Sequence, residues 1–380
     1  MLLGAAGPAR AQQFAAVDAA VQEGIDAGLY PGAVVIIGRG DTILQAQGYG
    51  GLTWSPSAPM PHPDSTIWDI ASITKVVATA SSAMRLADAG RLDLDAPAAR
   101  YLARFKGARK DQVTVRMLLD HTSGLPAYLP LYRLARNRGR ALARLYAVPL
   151  ERAPGDSAVY SDLNAMLLGL VIEKVTGRSL ADVATAEVFR PLDMRRTMFR
   201  PPGKLARWIA PSGMHRGQPV RGRVNDENAV RLGGVAGHAG VFSTGSDLAR
   251  YAQTWLRNGL DGSGAVWVSP ELVRRFLTPG ARSGSRLLGW DTRDPLATLE
   301  MPSVFGSLPS AATYGHTGWT GTELWIDPVR NLFLVFLTNR SFDPRTGESL
   351  ERLKLVRARV SDAAAGAIPP VCAQELVAVC

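Results

Sequence analysis

Two apolar, β-rich stretches lie near opposite ends of the chain, and the long segment between them reads mainly as helix and loop. The first is "AVVIIGRGDTILQAQGYG", residues 33–50, interrupted at Gly38-Arg39-Gly40-Asp41. The second is "TELWIDPVRNLFLVFLTN", residues 322–339, interrupted at Asp327-Pro328. Each is a hairpin signal, because turn-forming residues separate two runs of strand formers. A sheet built from both would pair across the whole central insertion. Helical periodicity marks Phe14–Ala27, Val113–Leu119, Tyr132–Tyr146, Asp162–Thr176, Gly245–Leu256 and about 347–365. The expected class is therefore α/β of the α+β type: an antiparallel sheet from the terminal segments, flanked by helices, plus a mostly helical inserted lobe. The sheet lobe would take about 12–70 and 257–366, and the helical lobe about 71–256. A cleft between two such lobes is a common place for an active site.

The stretch "WDIASITKVVATASSAM", Trp68–Met84, leads from the first hairpin into the helical part. The chain has few lysines: Lys75, Lys106, Lys110, Lys174, Lys204 and Lys354. Among these, Lys75 alone has a serine three positions before it, Ser72. Residues three apart share one face of a helix. A serine in the first turn lies near unpaired N–H groups and the positive end of the helix dipole, which suits a nucleophile. Taken alone, the pair is better read as a helix cap and a solvated charge.

Composition narrows the setting. The net charge of +10 comes from arginine, concentrated at "YRLARNRGRALARLY", Tyr132–Tyr146. This stretch reads as a basic amphipathic helix without any accompanying nucleic-acid motif, so a solvated face explains it better than nucleic-acid binding. No apolar run is long enough to span a membrane. Residues 1–11 contain a short apolar run and the small-x-small pattern Ala9-Arg10-Ala11, as in a signal-peptide remnant, which points to an exported protein. Cys372 and Cys380 are confined to a tail, 367–380, where a terminal disulfide or two free thiols fit equally. No metal site is expected there.

A serine nucleophile needs a base and an oxyanion hole. No serine here lies in Gly-x-Ser-x-Gly, which removes the sequence argument for an α/β-hydrolase. Two other segments offer partners. In "AVYSDLNAMLLGLVIEKVTG", Tyr160-Ser161-Asp162 precedes an apolar helix, with Asp162 readable as its N-cap. In "TYGHTGWTGTELWID", His316-Thr317-Gly318 precedes the terminal hairpin, and its glycines permit close approach of backbone to a ligand.

With these three in order, the chain resembles the serine β-lactamase and penicillin-binding-protein superfamily in its class C-like branch. That branch carries Ser-x-x-Lys, Tyr-x-Asn and Lys-Thr-Gly. "YPGAVVIIG", "MLLDHTSGLP" and "YSDLNAMLLG" support the likeness, which covers nearly the whole chain after about residue 14. The resemblance implies a β-lactamase/transpeptidase-like fold without cofactor. It makes Ser72 the acylated nucleophile, Lys75 and Tyr160 its proton-handling partners, and the N–H groups of Ser72 and Trp319 the oxyanion hole. Asp162, His316, Thr317, Gly318 and Trp319 would contact substrate. Two positions depart from the pattern. Asp162 replaces the asparagine and would pair with Lys75, shifting base duty to Tyr160. His316 replaces the lysine and, being mostly uncharged at neutral pH, should weaken carboxylate binding.

A further block, "VNDENAVRLGGVAGHAGVFSTGSDLARYAQ", resembles one in envelope-associated members that include a muramyl-peptide amidase, with His238 readable equally as a cleft residue or as a structural loop histidine. The expected function is a serine hydrolase of an ester or amide, with a peptidoglycan fragment or small carboxylic ester as substrate. A β-lactamase or D-alanyl-D-alanine carboxypeptidase is the alternative, and a catalytically idle envelope-fragment binding protein a third.

Overall fold

A computed structural model describes residues 12–294, 296, 298, 302–342 and 349–369 of the chain. The export-signal pattern in 1–11 and both cysteines lie outside the described residues. In chain order the strands are β1 (Gly32–Arg39), β2 (Thr42–Gly50), β3 (Trp68–Asp69), β4 (Met198–Phe199), β5 (Gly213–His215) and β6 (Gln218–Val220). They continue with β7 (Val241–Ser243), β8 (Asp291–Thr292), β9 (Tyr314–Thr317), β10 (Glu323–Asp327) and β11 (Leu332–Thr338).

Both expected hairpins form and share one antiparallel sheet, ordered β2-β1-β11-β10-β9-β8. The two ends of the chain meet at β1 and β11, where Val34 pairs with Leu337 and Ile36 with Val335. Side chains alternate across this sheet. Ala33, Val35 and Ile37 join Leu334 and Phe336 beneath helices Ala15–Asp26 and Ser349–Ala367, which pack on each other. Val34, Ile36, Val335 and Leu337 face the larger core, beneath helix Gly245–Leu256. Both faces are dry, which explains why β1 is an unbroken apolar run rather than an alternating one. Each buried aliphatic side chain there contributes about 1.5–3 kcal/mol. The turn after β10 is held by Asp327, whose fully buried carboxylate accepts from Ser310 N and Oγ and from Val329 N and Arg330 N.

Helices Asp162–Thr176 and Gly245–Leu256 span the residues that the periodicity marks. The arginine-rich stretch differs: it forms two helices, Leu131–Leu134 and Arg138–Ala147. Ala135 is extended, and Asn137 restarts the helix by accepting from Arg140 N at 3.0 Å. Among the described residues no helix is long and apolar enough to cross a membrane.

Close packing carries the central helix to the site. A methyl group at Gly237 would overlap the carbonyl oxygen of Ala165 in helix Asp162–Thr176 and press on Gly169 N at 3.2 Å. Backbone cannot yield as a side-chain tip can. Gly237→Val is therefore expected to cost about 3 kcal/mol or more, read as a lowered midpoint in urea or thermal unfolding.

Candidate active site

Ser72 lies in a 3₁₀ turn, Ala71–Ile73, followed by a π-wound turn, Lys75–Ala80, before the regular helix Ser81–Asp88. The expected plain α-helix is thus replaced by tighter and wider turns, a departure found often at functional sites. Ala71, immediately before the serine, has φ of 46°, a left-handed conformation that costs a non-glycine residue energy. Asp69 holds it there, accepting from Ala71 N at 2.9 Å. Burial pushes the Asp69 carboxyl up to about 6, against the pull of its hydrogen bonds from Asn225 and Ala71.

Lys75 is buried and reaches back to the serine, with Nζ 2.8 Å from Ser72 Oγ. The same Nζ lies 2.8 Å from Asp162 Oδ1 and 3.2 Å from the carbonyl of His238. Burial works against the charge on Lys75, but Asp162 and Tyr160 together hold its pKa above the ordinary lysine value. An ammonium carries three N–H donors, and all three of these oxygens lie within hydrogen-bond reach of it. Asp162 is not the N-cap of its helix. Ser161 caps it, accepting from Leu163 N, and Asp162 is left to pair with Lys75, as its substitution for asparagine suggests.

Tyr160 sits between two cations: Lys75 Nζ is 4.9 Å and Arg286 Cζ 4.8 Å from its ring centroid. Its ring also packs against two imidazoles, His121 at 4.9 Å and His316 at 5.8 Å. Sequence reasoning missed both His121 and Arg286. His121 belongs to "MLLDHTSGLP", where an Asp–Thr turn and a following glycine mark a shaped loop; Asp120 Oδ1 accepts from Thr122 N and Oγ1. Its Nδ1 accepts from Ser161 N at 3.1 Å and lies 3.1 Å from Asn164 Nδ2, which places the ring proton on Nε2. Burial, then the charges of Arg286 and Lys75, keep its pKa well below the usual histidine value. Arg286 comes from a loop without a readable pattern and is paired with Asp291 at 3.2 Å.

The third motif closes the site from the sheet. His316 and Thr317 end β9, and Thr317 pairs with Glu323 on β10. His316 is buried, its Nδ1 2.8 Å from the Thr317 carbonyl. Burial and the nearby charges of Lys75 and Arg286 hold its pKa down to about 3, so the ring is neutral. Gly318 presses on the nucleophile segment, since a Cβ there would stand 2.7 Å from Ile70 O and 3.2 Å from Ala71 Cβ. Thr320 and Thr322 fasten the contact, donating to Asp69 O at 2.7 Å and Ile70 O at 3.1 Å. Trp319 is 57% exposed at the rim, with the Arg340 guanidinium 4.7 Å from its ring. Among the described residues neither Ser72 N nor Trp319 N has a backbone acceptor. Two such donors beside a serine can receive an oxyanion.

His238 does not line the cleft surface; it is buried and its Nε2 lies 2.8 Å from Asp226 Oδ1. Asp162, Asp226 and His238 bring potential metal-ligand atoms within 4.8 Å of one another. Asp162 is already paired with Lys75, and Asp226 with His238.

Comparison with known proteins agrees with this geometry. The Beta-lactamase family profile matches residues 17–359. A protein of Escherichia coli K12, provisionally named a D-alanyl-D-alanine carboxypeptidase, is 33% identical over 364 residues, covering 86% of this chain and 82% of its own length. An N-acetylmuramyl-L-alanine amidase of Bacillus subtilis is 31% identical over 362 residues, covering 86% and 81%. Among solved structures, EstCE1, a hydrolase with promiscuous acyltransferase activity, superposes with a TM-score of 0.74 at 23% identity, over 94% of this chain and all of that one. A class C β-lactamase does so with a TM-score of 0.73 at 21% identity, over 93% and 97%. A profile that spans the sheet, the nucleophile segment and the third motif leaves one assignment: the chain belongs to the Beta-lactamase family of serine hydrolases.

Proposed function

We propose that the protein hydrolyses an ester or amide through an acyl-enzyme at Ser72, with a cell-wall muropeptide as its natural substrate. The observation that carries this reading is the contact of Ser72 Oγ with Lys75 Nζ at 2.8 Å, on an ammonium that Asp162 also holds at 2.8 Å. A lysine kept charged donates to the serine oxygen and does not take its proton. That duty falls to Tyr160, whose ring is flanked by the cations of Lys75 and Arg286. Ser72 Oγ attacks the acyl carbon, and its proton passes through Tyr160 to the departing amine or alcohol. Water then attacks the ester on Ser72, gives its proton to Tyr160, and the serine recovers a proton as the acid leaves. The N–H groups of Ser72 and Trp319 receive the oxyanion in both halves.

The substrate class rests on relatives named for cell-wall chemistry and on the charges of the cleft. A β-lactamase reading is the weaker one, because His316 is neutral where a lysine would hold a carboxylate. The carboxypeptidase reading gains from Arg286, a fixed guanidinium beside Tyr160 that suits a peptide's terminal carboxylate. Substrates of this kind lie beyond the cytoplasmic membrane, so the reading carries export with it.

Mass-spectrometric product analysis of p-nitrophenyl butyrate, nitrocefin, a muramyl peptide and an acyl-D-alanyl-D-alanine peptide tests the proposal. Cleavage of a muropeptide or the ester with slow nitrocefin opening supports it; rapid nitrocefin opening as the only strong activity overturns it. Arg286→Ala is expected to raise KM about tenfold for the D-alanyl-D-alanine peptide and to leave the ester, which has no carboxylate, within about threefold. Equal losses on both substrates would instead assign Arg286 to support of Tyr160.

A further inference from the structure

Asp69, Asp226 and His238 stand beside the site, yet the proposed chemistry uses none of them. Their hydrogen bonds converge on one loop. Asp69, buried beneath the nucleophile, accepts from Ala71 N at 2.9 Å with one oxygen and from Asn225 N at 2.7 Å with the other. The next residue, Asp226, accepts through Oδ1 from Ala229 N at 2.7 Å and from His238 Nε2 at 2.8 Å. His238 returns to the catalytic pair, its carbonyl accepting from Lys75 Nζ at 3.2 Å. The circuit therefore begins at the strained residue before Ser72 and ends on the lysine that touches Ser72. It passes through residues 225 and 226, more than a hundred positions away in sequence.

Every link has a reason to be stiff. The His238 side chain is 1% exposed, so its ring cannot turn to water for another partner. Asp226 is held as a carboxylate: burial opposes its charge, but His238 and the helix N–H of Ala229 bring it down to about 2. Thr79 Oγ1 donates to the Gly237 carbonyl at 2.7 Å and fixes the backbone just before His238. A lysine has a long flexible stem, and three acceptors are needed to hold its Nζ in one place.

We propose that Asp226 and His238 form a positioning dyad, a clasp that aligns Lys75 with Ser72 through the His238 carbonyl. Neither residue touches substrate in this assignment. It rests on the reading that Ser72 is the nucleophile. Misplacing a catalytic group by about an ångström costs on the order of a hundredfold in rate. Loosening the clasp should therefore lower the rate of Ser72 attack without weakening substrate binding.

The test uses Asp226→Asn, Asp226→Glu and His238→Ala in the full chain, with Ser72→Ala beside them. The readouts are kcat, KM, the melting temperature and the rate of labelling by a fluorophosphonate, which reports serine reactivity without any substrate. The dyad predicts that Asp226→Asn and His238→Ala each lower kcat and the labelling rate together, by about tenfold or more. KM and the melting temperature should stay near wild type, and Asp226→Glu should recover much of the lost rate. Labelling and kcat within twofold of wild type in either folded variant would overturn the proposal. So would a loss that appears in KM alone or only in step with a lowered melting temperature. If one variant does not fold, the other decides. Dyad variants that stay active while Ser72→Ala is dead refute the dyad alone. A fully active Ser72→Ala, with no phosphonate labelling of the wild type, refutes the serine reading and the dyad with it.

Discussion

Ser72→Ala should lower turnover of every cleaved substrate by about a thousandfold or more while the protein melts near the wild-type temperature. The size follows from losing the nucleophile itself, since the acyl-enzyme has no other oxygen on which to form. Stability should hardly change. Ser72 is only half-buried, and Lys75 keeps Asp162 and the His238 carbonyl as partners when the hydroxyl is gone. Steady-state kinetics with thermal melting checks both halves. Wild-type turnover in a folded Ser72→Ala protein would move the chemistry to another residue.

Lys75→Met should be costly twice over. Activity is expected to fall about a thousandfold, because the serine oxygen loses its hydrogen-bond donor and Tyr160 loses the cation beside its ring. Stability should also fall, by about 2–4 kcal/mol, because the Asp162 carboxylate is left without its partner in a mostly buried place. The lower part of that range is the better expectation, since the Asp162 side chain keeps 20% of its surface in water. The double variant Lys75→Met/Asp162→Asn separates the two costs. Removing the stranded charge should restore most of the stability and none of the activity. Urea unfolding and kcat on the same preparations supply the numbers. A single variant as stable as wild type would show that Asp162 finds water on its own.

The two departures from the family motifs turn out to be linked through space. Asp162 holds Lys75 charged, and that charge, with burial and Arg286, keeps His316 neutral. Arg286 sets a guanidinium 4.8 Å from the Tyr160 ring centroid, paired with Asp291 at 3.2 Å.

Much of the architecture could be read directly from the chain. Turn residues at Gly38–Asp41 and Asp327-Pro328 marked both hairpins, and helical spacing marked Asp162–Thr176 and Gly245–Leu256. The order of Ser72, Lys75, Tyr160 and His316 along the chain already points to the family. These signals are local: they depend on the period of a helix or strand and on the torsions a turn demands. The arginine-rich stretch shows where local reading fails, since its amphipathic pattern continues across a break at Ala135 that only packing and the Asn137 cap reveal. Tertiary structure decided the rest. It put Asp162 on Lys75 instead of at a helix cap, His121 and Arg286 around Tyr160, and His238 beneath the lysine instead of in the cleft. Each of those contacts joins loops whose separation in sequence carries no period, such as the 163 positions between Lys75 and His238. Hydrogen bonds and charges act over a few ångströms of space, so which of them form is settled only when the sheet and helices have brought the loops together.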